Sequence, residues 1–265
     1  MNRRHLLAAI AAAAAVRPAL AQPPSGDPTL ATVAGGLDHP WSLAFLPNGN
    51  MLVTERAGRL RVVSPDGALS EPVAGVPRVS AVGQGGLLDV TLHPDFASTR
   101  LVFLSFAEPR EGGANGTSVM RGRLSDDASR LDDVKVIFRQ RPAGKGGNHF
   151  GARLAFDREG ALFVTTGDRL NLRRLVQPTD NHIGKVIRIT EDGGIPADNP
   201  KPPGWLPEIW SIGHRNLQGA TIHPATGQLW TVEHGAKGGD ELNHPEAGKN
   251  YGWPVITYSR EYSGE

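Results

Sequence analysis

The chain repeats a short unit in which two apolar, strand-like segments flank a polar turn. Copies of the unit occupy residues 41–55, 88–105, 152–165 and 219–232. In the third copy the apolar segments 154–156 and 162–164 enclose a turn that contains aspartate and glycine. Turn residues between two β-rich runs are typical of a β-hairpin. The pattern therefore predicts four hairpins along the chain.

The spacing of the hairpins indicates the fold class. Matched positions Leu52, Val102, Leu162 and Leu229 lie 50, 60 and 67 residues apart, a period typical of propeller blades with insertions. Further strands are predicted at 60–63, 134–138 and 185–189, and no segment shows sustained helical periodicity. We therefore predict an all-β protein, a β-propeller of four-stranded blades.

About four blades are visible in the sequence, and no closing strand is recognisable before residue 265. Propellers normally close a ring, because an open ring leaves sheet edges and blade faces bare. The chain is therefore either a four-bladed ring or a C-terminally truncated part of a larger one. The long connections between hairpins favour the partial propeller, which we expect to span residues 34–265.

The first 21 residues have the features of a signal peptide. Two arginines at positions 3 and 4 precede an apolar run, 6–16, which is too short for an ordinary membrane span. A small-x-small pattern at 19–21 predicts cleavage before Gln22, followed by a polar leader at 22–33. We expect a periplasmic protein without membrane insertion. The paired arginines leave the export route open between the Sec and twin-arginine systems.

Composition narrows the possible chemistry. The 33 glycines and 21 prolines have no collagen period and indicate many turns. A net charge of +1 gives no reason to expect nucleic-acid binding. The absence of cysteine excludes disulfides, thiolate catalysis and cysteine metal sites.

One histidine lies in a glycine-rich loop immediately before the third hairpin. His149 occurs in the segment 146–154, and histidine suits proton transfer near neutral pH. A lone histidine in such a loop is more often a turn residue, so its neighbours decide the interpretation. Gln84 enters the second hairpin and Arg215 the fourth, again through glycine loops. Loops that enter successive blades should meet at one end of the channel, and this predicts a shared site.

Residues 232–243 combine carboxylates with a glycine-rich backbone, which supplies the hard oxygen ligands that calcium prefers. The spacing is not that of an EF-hand, and acidic surface turns are often only solvated. Two other histidines, His93 and His223, each precede a proline in equivalent turns. A repeated turn role is therefore favoured over zinc binding for this pair.

Four ordered motifs, at 83–96, 147–154, 213–219 and 238–254, resemble those of the soluble quinoprotein glucose/sorbosone dehydrogenases, and the aldose sugar dehydrogenase branch is the closer match. The resemblance covers residues 34–265. It implies a six-bladed propeller that holds pyrroloquinoline quinone (PQQ) at the channel mouth. It also implies calcium-assisted oxidation of the C1 hydroxyl of an aldose to a lactone, with electrons passed to a further acceptor.

The resemblance implies roles for matched residues. His149 would be the general base, which takes the hydroxyl proton while hydride moves to the quinone. The residues that would contact the cofactor are Gln84, Arg215, Asn216 and Tyr262. The backbone carbonyls of Gly235 and Ala236 would bind the calcium that contacts the cofactor. Glu241 and the Tyr251 carbonyl would bind a second, structural calcium.

Two positions depart from the glucose dehydrogenase branch. Asn148 precedes the histidine where that branch has an acid, which argues against glucose as the best substrate. Ala236 replaces a proline but keeps the backbone carbonyl. The family's further basic residues that clamp the cofactor lie in C-terminal blades beyond this sequence. Two alternatives remain open: a non-catalytic propeller that binds a partner or sugar, and a calcium-dependent lactone hydrolase.

Overall fold

The computed structural model describes residues 30–263. The predicted signal peptide at 1–21 and most of the predicted leader lie outside the described residues. Within the described part of the chain, no helix is long and apolar enough to cross a membrane.

The described residues form four antiparallel sheets, each made of consecutive strands. Sheet 1 comprises β1 (Pro40–Phe45), β2 (Met51–Glu55) and β3 (Arg59–Val63). Sheet 2 comprises β4 (Leu87–Leu92), β5 (Leu101–Pro109), β6 (Asn115–Leu124) and β7 (Leu131–Arg139). Sheet 3 comprises β8 (Gly151–Phe156), β9 (Leu162–Thr166), β10 (Lys185–Ile189) and β11 (Ile209–Ile212). Sheet 4 comprises β12 (Leu217–Ile222), β13 (Leu229–Glu233) and β14 (Glu241–Asn243).

The all-β, propeller-type prediction is confirmed, because all four hairpins and the three additional predicted strands are present. Helical structure among the described residues is limited to α1 (Phe96–Thr99) and two single 3-10 turns, Glu111–Gly113 and Arg173–Leu175. The number of blades in a complete ring stays a prediction.

Sheet 1 has three regular strands, and an irregular segment follows its third strand. Ser70 donates to Val62 at 2.9 Å and Val73 donates to Leu60 at 2.8 Å, both through backbone N–H groups. Pro72 lies between these two donors and has no N–H, so a regular ladder cannot continue there. The segment then leaves sheet 1, and Ala74 forms a bridge with Arg130, next to sheet 2.

Successive sheets pack face to face, with a hydrophobic core in each interval. Along β5, Val102 and Leu104 enter the core shared with sheet 1, whereas Phe103 enters the core shared with sheet 3. Along β9, Val164 faces sheet 2 and Phe163 faces sheet 4. Side chains alternate between the faces of a strand, so a sheet buried on both faces needs a continuous apolar run. This arrangement explains why the sequence shows unbroken apolar segments.

A hydroxyl on the second strand of each of the first three sheets joins that sheet to the next. Thr54 donates to the Leu88 carbonyl at 2.6 Å, and Ser105 donates to the Ala152 carbonyl at 2.6 Å. Thr165 repeats the contact with the Leu217 carbonyl at 3.1 Å. By strand register, Val232 takes the equivalent position in sheet 4 and is 51% exposed. The same inter-sheet hydrogen bond therefore recurs at three consecutive joints.

The antiparallel order determines where the loops lie. Antiparallel neighbours reverse direction, so the start of one strand lies beside the end of the next. The segments that enter β4, β8 and β12 therefore lie at the same end of the strands as those that leave β9 and β13. The predicted site residues before and after these strands therefore share that end of the sheets.

Candidate active site

The loop that carries His149 packs backbone against backbone with its neighbours. The backbone N–H of His149 donates to the Gln84 side chain at 2.8 Å, and the Gln84 N–H donates to the Gly147 carbonyl at 2.6 Å. A Cβ on Gly167 would lie 2.1 Å from the His149 carbonyl oxygen, so only glycine fits there. His149 itself has a φ of 51°, which is uncommon for a residue with a side chain. The predicted pair Gln84 and His149 is therefore in direct contact.

A buried aspartate orients the His149 ring. Asp168, just after β9, places one carboxylate oxygen 2.6 Å from His149 Nδ1. The same oxygen accepts from the Leu170 N–H at 2.7 Å, and the other accepts from the Trp253 indole N–H at 2.9 Å. A carboxylate can only accept, so Nδ1 carries the hydrogen and Nε2 remains the basic nitrogen. This arrangement suits a general base.

The carbonyl of Arg215 accepts from the Asp168 N–H at 2.7 Å, which brings Arg215 to the same place. The Arg215 guanidinium lies 5.4 Å from the Trp253 ring centroid and 6.0 Å from that of Tyr262. It donates to the His234 carbonyl at 3.1 Å and to the Tyr262 hydroxyl at 3.4 Å. No described carboxylate forms an ion pair with the Arg215 side chain, although Arg215 is only 4% exposed.

Asp168, Arg215, Trp253 and Tyr262 border a cavity of about 370 Å³. Its lining consists mainly of polar and aromatic side chains: Asp168, Leu170, Asn171, Arg173, Arg215, Ala236, Trp253, Glu261 and Tyr262. His149 is not part of this lining but contacts the lining residue Asp168. Arg173 is neutralised across the cavity by Glu261 at 2.9 Å, whereas Arg215 is not neutralised by any described carboxylate. A buried guanidinium without a carboxylate partner, beside an aromatic-lined cavity, favours a planar anionic ligand.

Further hydrogen bonds hold the backbone around Arg215. The Glu233 carboxylate accepts from the Arg215 N–H and lies 3.0 Å from His214 Nδ1. His214 is fully buried and also contacts the Ser211 hydroxyl at 2.9 Å. Asn216 Oδ1 accepts from the Gly151 N–H at 3.2 Å, next to the His149 loop. Arg215 and Asn216 are therefore tied to the loop that carries the histidine.

The segment after Asp168 lines the cavity and is held by a buried lysine. Lys185 Nζ donates to the carbonyls of Val176 at 2.6 Å, Ile183 at 2.7 Å and Leu175 at 3.3 Å. Burial lowers the pKa of Lys185 to about 7. The ammonium therefore loses its proton in the native chain far below the usual pH for lysine.

The residues predicted to bind calcium fall into separate groups. Ala236 borders the larger cavity, while Gly235 and Glu241 border a small adjoining cavity of about 10 Å³. Tyr251 lines neither cavity; its hydroxyl donates to the His244 carbonyl and accepts from the Glu246 N–H at 2.9 Å. Among the described residues, no group of three or more His, Asp or Glu side chains forms a metal site. The available donors are carbonyl and carboxylate oxygens, which fit calcium in chemical type.

The two histidines of the His-Pro turns behave as predicted. His93 Nδ1 accepts from the Asp95 N–H at 3.0 Å, and His223 Nδ1 accepts from the Thr226 N–H at 3.2 Å. Both rings therefore close a turn in equivalent hairpins.

Sequence reasoning did not identify Asp168 or Trp253 as site residues. The available signal for Asp168 was its position: it follows Gly167, just after the second strand of the third hairpin. That is the end of the strands where the other loops were expected to meet. Trp253 was visible in the motif 250–254 but had no assigned role, because its partner lies 85 residues away.

Fold and site together define a propeller-type chain with a histidine–aspartate pair, whose aspartate borders the same cavity as Arg215. The family model for glucose/sorbosone dehydrogenases matches residues 37–265. The chain therefore belongs to the glucose/sorbosone dehydrogenase family, as its motifs predicted.

Individual relatives agree with this assignment. Aldose sugar dehydrogenase YliI of Escherichia coli is 52% identical over 231 residues, covering 86% of this chain and 62% of the relative. A crystal structure of a glucose dehydrogenase has a TM-score of 0.87 at 56% identity, covering 90% of this chain and 69% of that one. The PQQ-bound aldose sugar dehydrogenase of Streptomyces coelicolor has a TM-score of 0.77 at 34% identity, covering 89% and 68%. The chain spans less than two thirds of the curated relatives it matches, 62% and 60% of the first two.

Proposed function

We propose that this chain forms part of a periplasmic PQQ-dependent aldose dehydrogenase that oxidises the C1 hydroxyl of an aldose to a lactone. The observation that carries the proposal is the His149–Asp168 pair, whose aspartate borders the same cavity as Arg215. No described carboxylate neutralises the Arg215 guanidinium. Membership of the family and the named activities of its relatives support the same function. The electron acceptor would be a separate partner.

The residues present fit the chemistry of the cofactor. PQQ is a flat tricarboxylate, and Arg215 offers a planar fork that no described carboxylate occupies. Asn216, Gln84 and Tyr262 would contact the cofactor, with Trp253 and Tyr262 supplying aromatic surface. When bound, PQQ would accept the electrons from the sugar, and calcium would polarise it as a Lewis acid.

The protein's own contribution is to position and move a proton. Asp168 holds His149 in the tautomer whose Nε2 can take the proton from the C1 hydroxyl. Asp168 also stabilises the imidazolium that forms when that proton arrives. The Gly235 and Ala236 carbonyls would hold the cofactor's calcium, and Glu241 with the Tyr251 carbonyl would hold a second calcium.

The test reconstitutes the full-length protein with PQQ and calcium and measures oxidation of a panel of aldoses with an artificial electron acceptor. His149→Ala should lower kcat by about 10²- to 10⁴-fold, the usual contribution of a general base, while PQQ still binds. The matched control is His223→Ala, which removes a turn histidine. Undiminished turnover in His149→Ala would refute the assigned role.

The same preparation separates the alternatives. Hydrolysis of a lactone with calcium alone would indicate a lactone hydrolase. A protein that binds sugar, gives no spectral change with PQQ and is unaffected by His149→Ala would indicate a non-catalytic binding module.

A further inference from the structure

One buried cation, Arg169, organises the loop that carries His149. Arg169 is 2% exposed and follows Asp168 in sequence. Three of the four carbonyls in the loop 146–149 accept hydrogen bonds from it: Gly146 from Nη2 at 3.0 Å, Asn148 from Nε at 2.9 Å and His149 from the backbone N–H at 3.3 Å. The fourth, that of Gly147, accepts from the Gln84 N–H at 2.6 Å. Every carbonyl of the loop is therefore satisfied.

The rest of the guanidinium is held rigidly. Nη1 donates to the Asn115 carbonyl at 3.0 Å, and Nη2 donates to the Asn115 side-chain oxygen at 2.6 Å. The guanidinium carbon lies 3.9 Å from the centroid of the Phe150 ring. No described carboxylate forms an ion pair with this side chain. Backbone and amide oxygens, together with one ring face, therefore surround the buried charge.

This arrangement has a specific structural consequence. A buried charge without an ion-pair partner is costly unless hydrogen bonds satisfy it. Two of its acceptors, the Gly146 and Asn148 carbonyls, belong to the same short loop. The guanidinium is therefore best satisfied when the loop keeps one particular backbone conformation. That conformation includes the φ of 51° at His149, a region that persists only when surrounding contacts impose it.

We propose that Arg169 is a positioning residue for the base. It fixes the backbone of the loop 146–149 so that the imidazole of His149 meets the carboxylate of Asp168. Lysine cannot replace it, because a single ammonium does not reproduce the planar fork that reaches both Gly146 and Asn148. The catalytic consequence rests on the proposed function, whereas the geometric consequence does not.

The kinetic experiment compares Arg169→Lys with Arg188→Lys in the full-length protein reconstituted with PQQ and calcium. Arg188 is also a buried arginine, but it pairs with Asp157 and stacks near Trp210, away from the loop. A displacement of about 1 Å can cost about 100-fold in rate. We expect Arg169→Lys to lower kcat by about 10- to 100-fold, with KM and the PQQ dissociation constant within about twofold. Arg188→Lys should leave kcat unchanged even where it lowers the unfolding temperature.

A gentler variant protects the test against misfolding. Asn115→Ala removes the oxygen that orients the guanidinium, and also an amide N–H that donates to the Gly146 carbonyl at 3.0 Å, but it keeps the cation. It should lower kcat in the same direction by a smaller factor. If Arg169→Lys keeps kcat within twofold, or loses no more than Arg188→Lys at equal loss of stability, the proposal is wrong.

An NMR measurement on the apoprotein is independent of turnover. The short contact between His149 Nδ1 and Asp168 should give a downfield imidazole proton resonance, assigned by its loss in His149→Gln. We expect Arg169→Lys to abolish or broaden that resonance and Arg188→Lys to preserve it. Its persistence in Arg169→Lys would overturn the positioning role. If the wild-type protein oxidises no sugar, the proposed function fails, yet this result still decides the role of Arg169.

Discussion

Replacing Asp168 by asparagine tests the central pair of the site most directly. The substitution keeps the size of the side chain and removes its charge. In the native chain Asp168 is 1% exposed, and its oxygen lies 2.6 Å from His149 Nδ1. An asparagine amide can donate to Nδ1 and so place the ring hydrogen on Nε2, where it blocks the base.

Two estimates bracket the expected loss of catalytic efficiency in Asp168→Asn. A hydrogen bond to a charged group contributes about 1.5–3 kcal/mol. Two opposite charges about 4 Å apart interact by about 4 kcal/mol at an effective dielectric constant near 20. Since each 1.36 kcal/mol is tenfold in rate, kcat/KM for sugar oxidation should fall by about 10- to 10³-fold.

The assay is steady-state oxidation of aldoses by the reconstituted full-length protein, together with a PQQ titration of each variant. PQQ affinity should hardly change, because Arg215 keeps its contacts. Asp157→Asn is the matched control: Asp157 is also buried and charged, pairs with Arg188 at 2.8 Å, and lies at the far end of β8 from His149. A fall of less than twofold in Asp168→Asn, or an equal fall in the control, would refute the role given to Asp168.

Three further perturbations test other parts of the structure. Arg215→Met should weaken PQQ binding by about 10- to 100-fold, because charge-assisted hydrogen bonds contribute about 1.5–3 kcal/mol; an unchanged dissociation constant in a fluorescence titration would exclude Arg215 from the cofactor site. For Lys185, burial lowers the native pKa to about 7, while the unfolded chain keeps this proton to about pH 10.4. The unfolded state therefore binds more protons between these limits, and the free energy of unfolding should rise with pH there, by up to about 1.4 kcal/mol per unit. Lys185→Met should remove this pH dependence of the unfolding free energy, measured by urea unfolding at pH 6.5, 8 and 9.5. Identical pH dependence in the wild-type and variant proteins would show that the three carbonyls around Lys185 keep its ammonium charged. Thr165→Val should lower the unfolding free energy by about 1–3 kcal/mol, because the hydrogen bond to Leu217 is lost and buried partners are left unpaired; the exposed Thr221→Val is the control, and equal denaturation midpoints would argue against a role for the inter-sheet hydroxyl.

Most of the β-structure was predictable because it is encoded locally. Apolar runs around Leu52, Leu162 and Leu229, each next to a polar turn, specify hairpins whatever their neighbours are. The unbroken apolar runs also follow from burial on both faces. The irregular segment 70–73, which follows the third strand of sheet 1, was not predicted, although Pro72 is the local reason for its irregularity.

For the site, the sequence by itself determined which loops meet, because a repeated hairpin places equivalent loops at the same edge. That reasoning put Gln84, His149 and Arg215 together from their positions in the repeat alone. Tertiary structure alone decided which side chains touch. Asp168 lies 19 residues from His149, and Trp253 lies 85 residues from Asp168, separations at which no local pattern sets side-chain direction. Those contacts depend on how the sheets stack and on the backbone that buried groups such as Arg169 impose, and both exist only after the chain has folded.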